Sequence, residues 1–143
     1  MSVIISMAGE MVKRHEGFSK WAYLCTAGKQ TIGYGRNIDK NGGPGITEAE
    51  ALILLSNDLQ RINTAASQEF PWFSGLNEPR QAAIIDMIYN LGVAGFRTFK
   101  QTISCIESGD YVGASEKMLI STWAKQVGKR AIELAEIIRT GEL

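Results

Sequence analysis

The chain has one histidine, His15, and two cysteines, Cys25 and Cys105, and this short inventory limits the chemistry open to it. A Ser-His-Asp or Cys-His site would have to use His15. On a helix His15 faces a different direction from its neighbour Glu16, and it reads as a surface or hydrogen-bonded histidine. One histidine and two distant cysteines cannot build a zinc site, so neither a metal nor another cofactor is expected. Acid–base chemistry on carboxyls remains, and Glu16 is the best placed of them. It closes a helical segment, where the negative end of the helix dipole disfavours a carboxylate. Apolar neighbours at Phe18, Trp21 and Tyr23 would act in the same direction. A carboxyl kept protonated near neutral pH is what a general acid needs. The plainer alternative is a solvated glutamate at a helix end.

Several elements must hold Glu16 in place. Residues 3–16 read as a helix, with Ile4, Met7, Met11 and Val12 at helical spacing and Gly17 as its stop. Residues 18–38 alternate around the turn Thr26-Ala27-Gly28-Lys29 and read as a β-hairpin. Gly33-Tyr34-Gly35 lacks the further glycine and the following helix of a phosphate loop, so its glycines signal a bulge or a close backbone approach. Residues 39–46 are a loop by composition. Thr47-Glu48-Ala49-Glu50 fits a capping box, opening a helix that runs to about Ser67 with Leu52, Leu55, Leu59, Ile62 and Ala66 on its apolar stripe. Pro71-Trp72-Phe73 breaks the pattern, and its two aromatics read as core anchors ahead of a ligand platform. Asn77 caps the next helix, with Pro79 in its first turn. Ala82, Ala83, Ile84, Ile85, Met87, Ile88 and Leu91 make that helix apolar nearly all round, as expected of a buried central helix, and Gly92-Val93-Ala94-Gly95 ends it. Helices follow at about 97–108, 110–120 and 128–140, with Cys105 on an apolar face as inert core. The fold class is α+β, mostly helical, with segregated elements.

At 143 residues and 45% hydrophobic, the chain is most simply one domain, with room for two lobes and a real core. Fifteen basic and fifteen acidic residues are spread evenly, seven of each sign in residues 1–69 and eight of each in residues 70–143. This is not a nucleic-acid footprint. Two cysteines make no disulfide framework and suit a reducing compartment. No apolar run is long enough for a membrane span or anchor. The start of the chain lacks the basic n-region of a secretory signal. Accumulation in the cytoplasm is expected.

Beyond these inferences the chain resembles a known family. Glu16, eight residues, Cys25, five residues and Thr31 look like the Glu-x8-(Asp or Cys)-x5-Thr pattern of the T-even phage lysozyme family of muramidases. Thr31-Ile32-Gly33-Tyr34-Gly35 is similar to the family's Thr-Ile-Gly-x-Gly run, and the helix from Thr47 resembles its interlobe helix. Arg80-Gln81-Ala82-Ala83-Ile84 through Asn90-Leu91-Gly92 and Ala94-Gly95-Phe96 resembles its central helix and the following turn. Trp123, Arg130-Ala131 and Arg139-Thr140-Gly141 resemble its closing segments. The likeness covers nearly the whole chain.

The resemblance implies one lysozyme-like catalytic domain over 1–143, with a small β-hairpin lobe at about 14–58 and a helical lobe at about 1–13 and 59–143. A long helix would join them, with the active-site cleft between. It implies that Glu16 is the general acid that protonates the glycosidic oxygen and that Thr31 helps to hold the attacking water. Arg130 would pair with the catalytic glutamate, and Asn90 and Gln126 would line the saccharide cleft. Two positions depart from the best-known members. Arg36 stands where a histidine is expected, and an Arg36–Asp58 ion pair follows, its cation kept at any relevant pH. Cys25 stands where aspartate is commoner. A thiolate is a good nucleophile, so a covalent retaining route is conceivable. The preferred reading has Cys25 and Thr31 positioning water while Glu16 carries most of the catalysis.

The implied activity is that of a phage-type endolysin: hydrolysis of the β-1,4 bond between N-acetylmuramic acid and N-acetylglucosamine in peptidoglycan, without a cofactor. A monomer is expected that waits in the host bacterial cytoplasm until a holin opens the membrane and then acts on the wall. A neutral chain gains little steering toward an anionic wall, although Lys125, Lys129 and Arg130 form a local basic patch. The rivals are a lytic transglycosylase that works with Glu16 alone and a wall-binding module that has lost activity.

Overall fold

The computed structural model describes residues 2–143. The chain divides into two compact units, Met1–Ile53 and Leu54–Leu143. Residues 1–13, expected with the helical lobe, fall in the first unit with the sheet. The covalent link explains this in part, because α1 (Val3–Glu16) runs straight into the sheet through Gly17.

In the first unit Ser2 caps α1 by accepting from the Ile5 N–H at 3.2 Å. The helix stops at Gly17 as expected, at φ +68, with the Gly17 N–H donating to the Lys13 carbonyl. The sheet has three strands where the sequence suggests two: β1 (Ser19–Leu24), β2 (Gln30–Gly33) and β3 (Arg36–Asn37), all antiparallel in the order β1-β2-β3. The register sets Tyr23 opposite Thr31 and Leu24 opposite Gln30, with an irregularity between Ser19 and Tyr23. The loop beyond β3 is pinned by polar groups. The two Asp39 carboxylate oxygens accept from the Gln30 and Asn41 N–H groups, and these bonds hold the carboxyl below its usual range. The unit has little core: Thr31 is its one buried residue among those described.

Helix α2 (Glu48–Glu69) crosses the boundary between the units. Its start is the reciprocal capping box read from the sequence: Thr47 Oγ1 accepts from the Glu50 N–H at 3.1 Å, and Glu50 Oε1 from the Thr47 N–H at 2.9 Å. Of the apolar stripe on α2, Ile62 and Ala66 are buried.

In the second unit a 3₁₀ turn (Phe73–Gly75) leads into α3 (Glu78–Arg97). Then come α4 (Lys100–Glu107), α5 (Tyr111–Leu119), the short α6 (Thr122–Val127), which periodicity missed, and α7 (Lys129–Thr140). Asn77 caps α3 as expected, and Gly92, at φ 75 and ψ 163, breaks it near its end. Helix α7 packs on α3, α5 and α6, and α4 packs on α5. Ala83, Ile84, Met87, Ile88 and Phe96 of α3 are buried in the shared core, with Met118, Trp123, Leu134 and Ile138 from the helices around it. The end of α7 is tied back to the start of α3. Arg80 Nε donates to the Ile138 carbonyl at 2.8 Å, and Asn77 Nδ2 to that of Gly141 at 3.0 Å. These bonds satisfy carbonyls that a helix C-terminus leaves free. The Arg80 guanidinium also lies 3.6 Å from the centre of the Tyr111 ring.

Candidate active site

The sequence pattern Glu16, Cys25, Thr31 falls on three adjoining pieces of the first unit: the last turn of α1, the β1–β2 turn and the start of β2. The Glu16 side chain lies against the backbone of Gly35. A Cβ placed on Gly35 would sit 2.5 Å from Glu16 Oε2, and Gly35 has φ +76. The positive φ favours glycine there, and an added side chain would displace the Glu16 carboxyl. The aromatic wall expected around Glu16 is open: Phe18 and Trp21 are about two-thirds exposed, at 68% and 72%. The Phe18 ring packs on Tyr34 at 5.6 Å between centroids. His15 is exposed.

Cys25 and Thr31 are organised by the tight turn between β1 and β2. The Cys25 N–H donates to the Lys29 carbonyl at 2.9 Å, and the Gly28 N–H to the Cys25 carbonyl at 2.8 Å. These bonds close the turn at Cys25. The Lys29 and Ala27 backbone N–H groups lower the thiol from its ordinary value, and burial opposes them. Backbone N–H groups stabilise the anion, so the turn favours thiolate. Thr31 is buried, and its Oγ1 donates to the Lys29 carbonyl at 2.9 Å. While that bond is made, the hydroxyl has only lone pairs left to offer to other groups.

The expected Arg36–Asp58 pair is replaced by two local ones. Arg36 pairs with Glu50 at 2.9 Å and also donates through Nε to the Gly45 carbonyl. Asp58 pairs with Arg61 at 2.8 Å, one helical turn away. Glu50, at the third position of the capping box, already holds its carboxylate toward the loop, so it is the nearer anion for Arg36. Arg36 therefore fastens the loop that precedes α2.

The substrate-binding residues expected from the resemblance lie in the second unit. Arg130, near the start of α7, donates through Nε to Asp86 Oδ1 at 2.7 Å and through its terminal nitrogen to the Asp86 carbonyl at 3.3 Å. Two bonds to one residue fix the plane of the guanidinium. Asn90 accepts from the Trp123 indole N–H at 2.7 Å. Trp123 lies edge-on to Phe99, 5.9 Å between centroids, on the wall of a cavity of about 540 Å³. Gln126 is exposed on α6. Sequence reasoning missed Asp86, the pairing of Glu50 with Arg36 and the Trp123–Asn90 bond. Asp86 did leave a signal, as the lone charge within the apolar run from Ala82 to Ile88. Among the described residues no cluster of three or more His, Cys, Asp or Glu side chains could hold a metal.

A small antiparallel sheet beside a single helix-end carboxyl, and a bundle of helices carrying aromatic and amide groups, define a lysozyme-type glycoside hydrolase. The phage lysozyme family model matches residues 13–138, and the chain belongs to that family. An endolysin of Acyrthosiphon pisum secondary endosymbiont phage 1 is 32% identical over 84% of this chain and 80% of its own length. A probable T4-type lysozyme of Dictyostelium discoideum is 29% identical over 98% of each. The pre-baseplate central spike protein Gp5 of Enterobacteria phage T4 is 32% identical over 97% of this chain, which there matches 28% of the larger protein.

Proposed function

We propose that this lysozyme serves as an endolysin, hydrolysing the β-1,4 bond between N-acetylmuramic acid and N-acetylglucosamine, with Glu16, Cys25 and Thr31 as its catalytic group. Glu16 in its acid form donates a proton to the glycosidic oxygen. A water attacks the anomeric carbon as that bond breaks. Thr31 accepts a hydrogen bond from this water, because its own proton is engaged by Lys29. Cys25 helps to position this water with Thr31, and Glu16 carries most of the catalysis. The observation that carries this reading is the single carboxyl at the end of α1, held against the Gly35 backbone beside the small sheet that bears Thr31 and adjoins Cys25. Arg130, oriented by Asp86, binds saccharide together with Asn90 and Gln126. The protein acts as a monomer. It waits in the host cytoplasm and depends on a holin for access to the wall.

Four variants test the mechanism by the release of reducing ends from purified peptidoglycan. Glu16→Gln should lower kcat by about 10²–10⁴, the range for loss of a positioned acid, with an unchanged thermal midpoint. Cys25→Asp should retain activity, whereas Cys25→Ser and Cys25→Ala should lose most of it. Equal rates for all three Cys25 variants would remove Cys25 from the chemistry. Anhydro ends in the mass spectrum of the products would replace the hydrolase by a transglycosylase.

A further inference from the structure

Trp72 lies in the segment that the sequence reading set aside as core, and the structure divides that segment. Phe73 is fully buried, at 1% exposed, but Trp72 is only half-buried. Its ring leans on Phe70 and Phe96, at 5.3 and 6.1 Å between centroids, and forms part of the wall of a hollow of about 830 Å³. That volume is within the range of small-molecule sites. Four charged residues line the same hollow. Arg97 is ion-paired with Glu69 and lies 5.1 Å over the Phe70 ring, while Lys100 and Glu107 have no ion-pair partner among the described residues.

The lining selects a class of ligand. Two acids balance two bases, so neither an anion nor a cation is favoured. Donors on Arg97 and Lys100 stand beside acceptors on Glu69 and Glu107, and a sugar hydroxyl, donor and acceptor at once, can use both. The apolar faces of Trp72 and Ile103 suit the ring face and acetyl methyl of an N-acetylhexosamine. We propose that this hollow is a second saccharide site, taking a neutral N-acetylated glycan chain and using none of the residues assigned to hydrolysis. The choice of sugar rests on the peptidoglycan reading above. A chain without net charge lacks electrostatic attraction to the wall. A second attachment on the same polymer raises the effective concentration of the first.

The probe is chitotetraose, the neutral β-1,4 tetramer of N-acetylglucosamine, titrated into ¹⁵N-labelled full-length Glu16→Gln protein, followed by amide and indole NMR shifts. Saturable shifts of the Trp72 indole N–H and the Arg97 and Lys100 amides are expected. Trp72→Ala should abolish them and Trp72→Phe should keep them. Because Trp72 also packs on the core, the exposed double variant Lys100→Ala/Glu107→Ala is the safer probe. It should bind about tenfold more weakly here, the equivalent of about 1.4 kcal/mol, with an unchanged melting midpoint. Absence of saturable Trp72 shifts up to about 10 mM probe, weaker than the millimolar end of useful affinity, would overturn the proposal. So would shifts confined to Asn90 and Trp123. Reducing-end release by the unmutated enzyme is read separately: its failure with Trp72 shifts intact would sink the hydrolase reading alone.

Discussion

The two units of this chain are held together by different physics. In Leu54–Leu143 every helix but the shortest contributes several buried residues, and all the buried apolar side chains of the described chain lie there, from Ile62 to Ile138. Burying one such side chain is worth about 1.5–3 kcal/mol. In Met1–Ile53 the order comes from caps, turns and side chain-to-backbone bonds: Ser2 on α1, Asp39 on β2 and its own loop, Thr47 and Glu50 on α2. Each of these is worth about 0.5–1.5 kcal/mol net. The acid and thiol lie in the unit with the weaker core. Polar groups outside a core are positioned by backbone geometry. Such a unit opens locally more easily, and its precision depends on turns.

The largest effect expected is in the helical unit. Phe96 is fully buried and meets Phe70 edge-on at 5.2 Å. Phe96→Ala should cost about 3–5 kcal/mol, read by urea unfolding. Leu24→Ala in the sheet, 63% exposed, should stay within about 0.5 kcal/mol. Similar losses at the two sites would erase the contrast between the units.

Next in size is Gly35→Ala. The added Cβ would press on the Glu16 carboxyl at 2.5 Å, and the positive φ is strained for alanine. The strain alone costs about 1–3 kcal/mol. Displacing the acid should lower kcat by a further factor of about 10². Gly42→Ala is the control: its φ is +95, but nothing lies within 4 Å of the new Cβ. It should share the strain and leave the rate alone. If both variants lose activity equally, flexibility matters at these turns and the contact with Glu16 does not.

The same division governs what could be read from the residues. Helical spacing found α1 to α5 and α7 because burial imposes a period. It missed α6, which is six residues long and caps itself with Ser121, and it missed β3, which is two residues long. The spacing of Glu16, Cys25 and Thr31 was visible in the sequence, but the backbone bonds that close the turn at Cys25 were not, since composition carries no torsion angles. The Arg36 pairing went astray because a charge takes the nearest well-held partner. Glu50 was already held by its own cap, and sequence separation hid how close that cap lies to Arg36.

The smallest effects test how the first unit divides its work between hydrogen bonds and charge. Thr47→Ala removes one half of the capping box and should cost about 1 kcal/mol. Glu50→Gln keeps an oxygen for the Thr47 N–H and loses only the charge facing Arg36. That pair is more than one-third exposed on both sides, and exposed pairs contribute little, so the melting midpoint at neutral pH should barely move. The distinction sharpens in acid. The Thr47 N–H and hydroxyl hold the Glu50 carboxyl below its usual range, with Arg36 adding less. A folded-state value below the unfolded one means that stability is gained above the unfolded value and lost as pH falls through the folded one. Wild type should therefore lose stability on acidification by an increment that Glu50→Gln does not show. If the two acid profiles run parallel, the cap works through geometry alone and the carboxylate charge is irrelevant to the loop it closes.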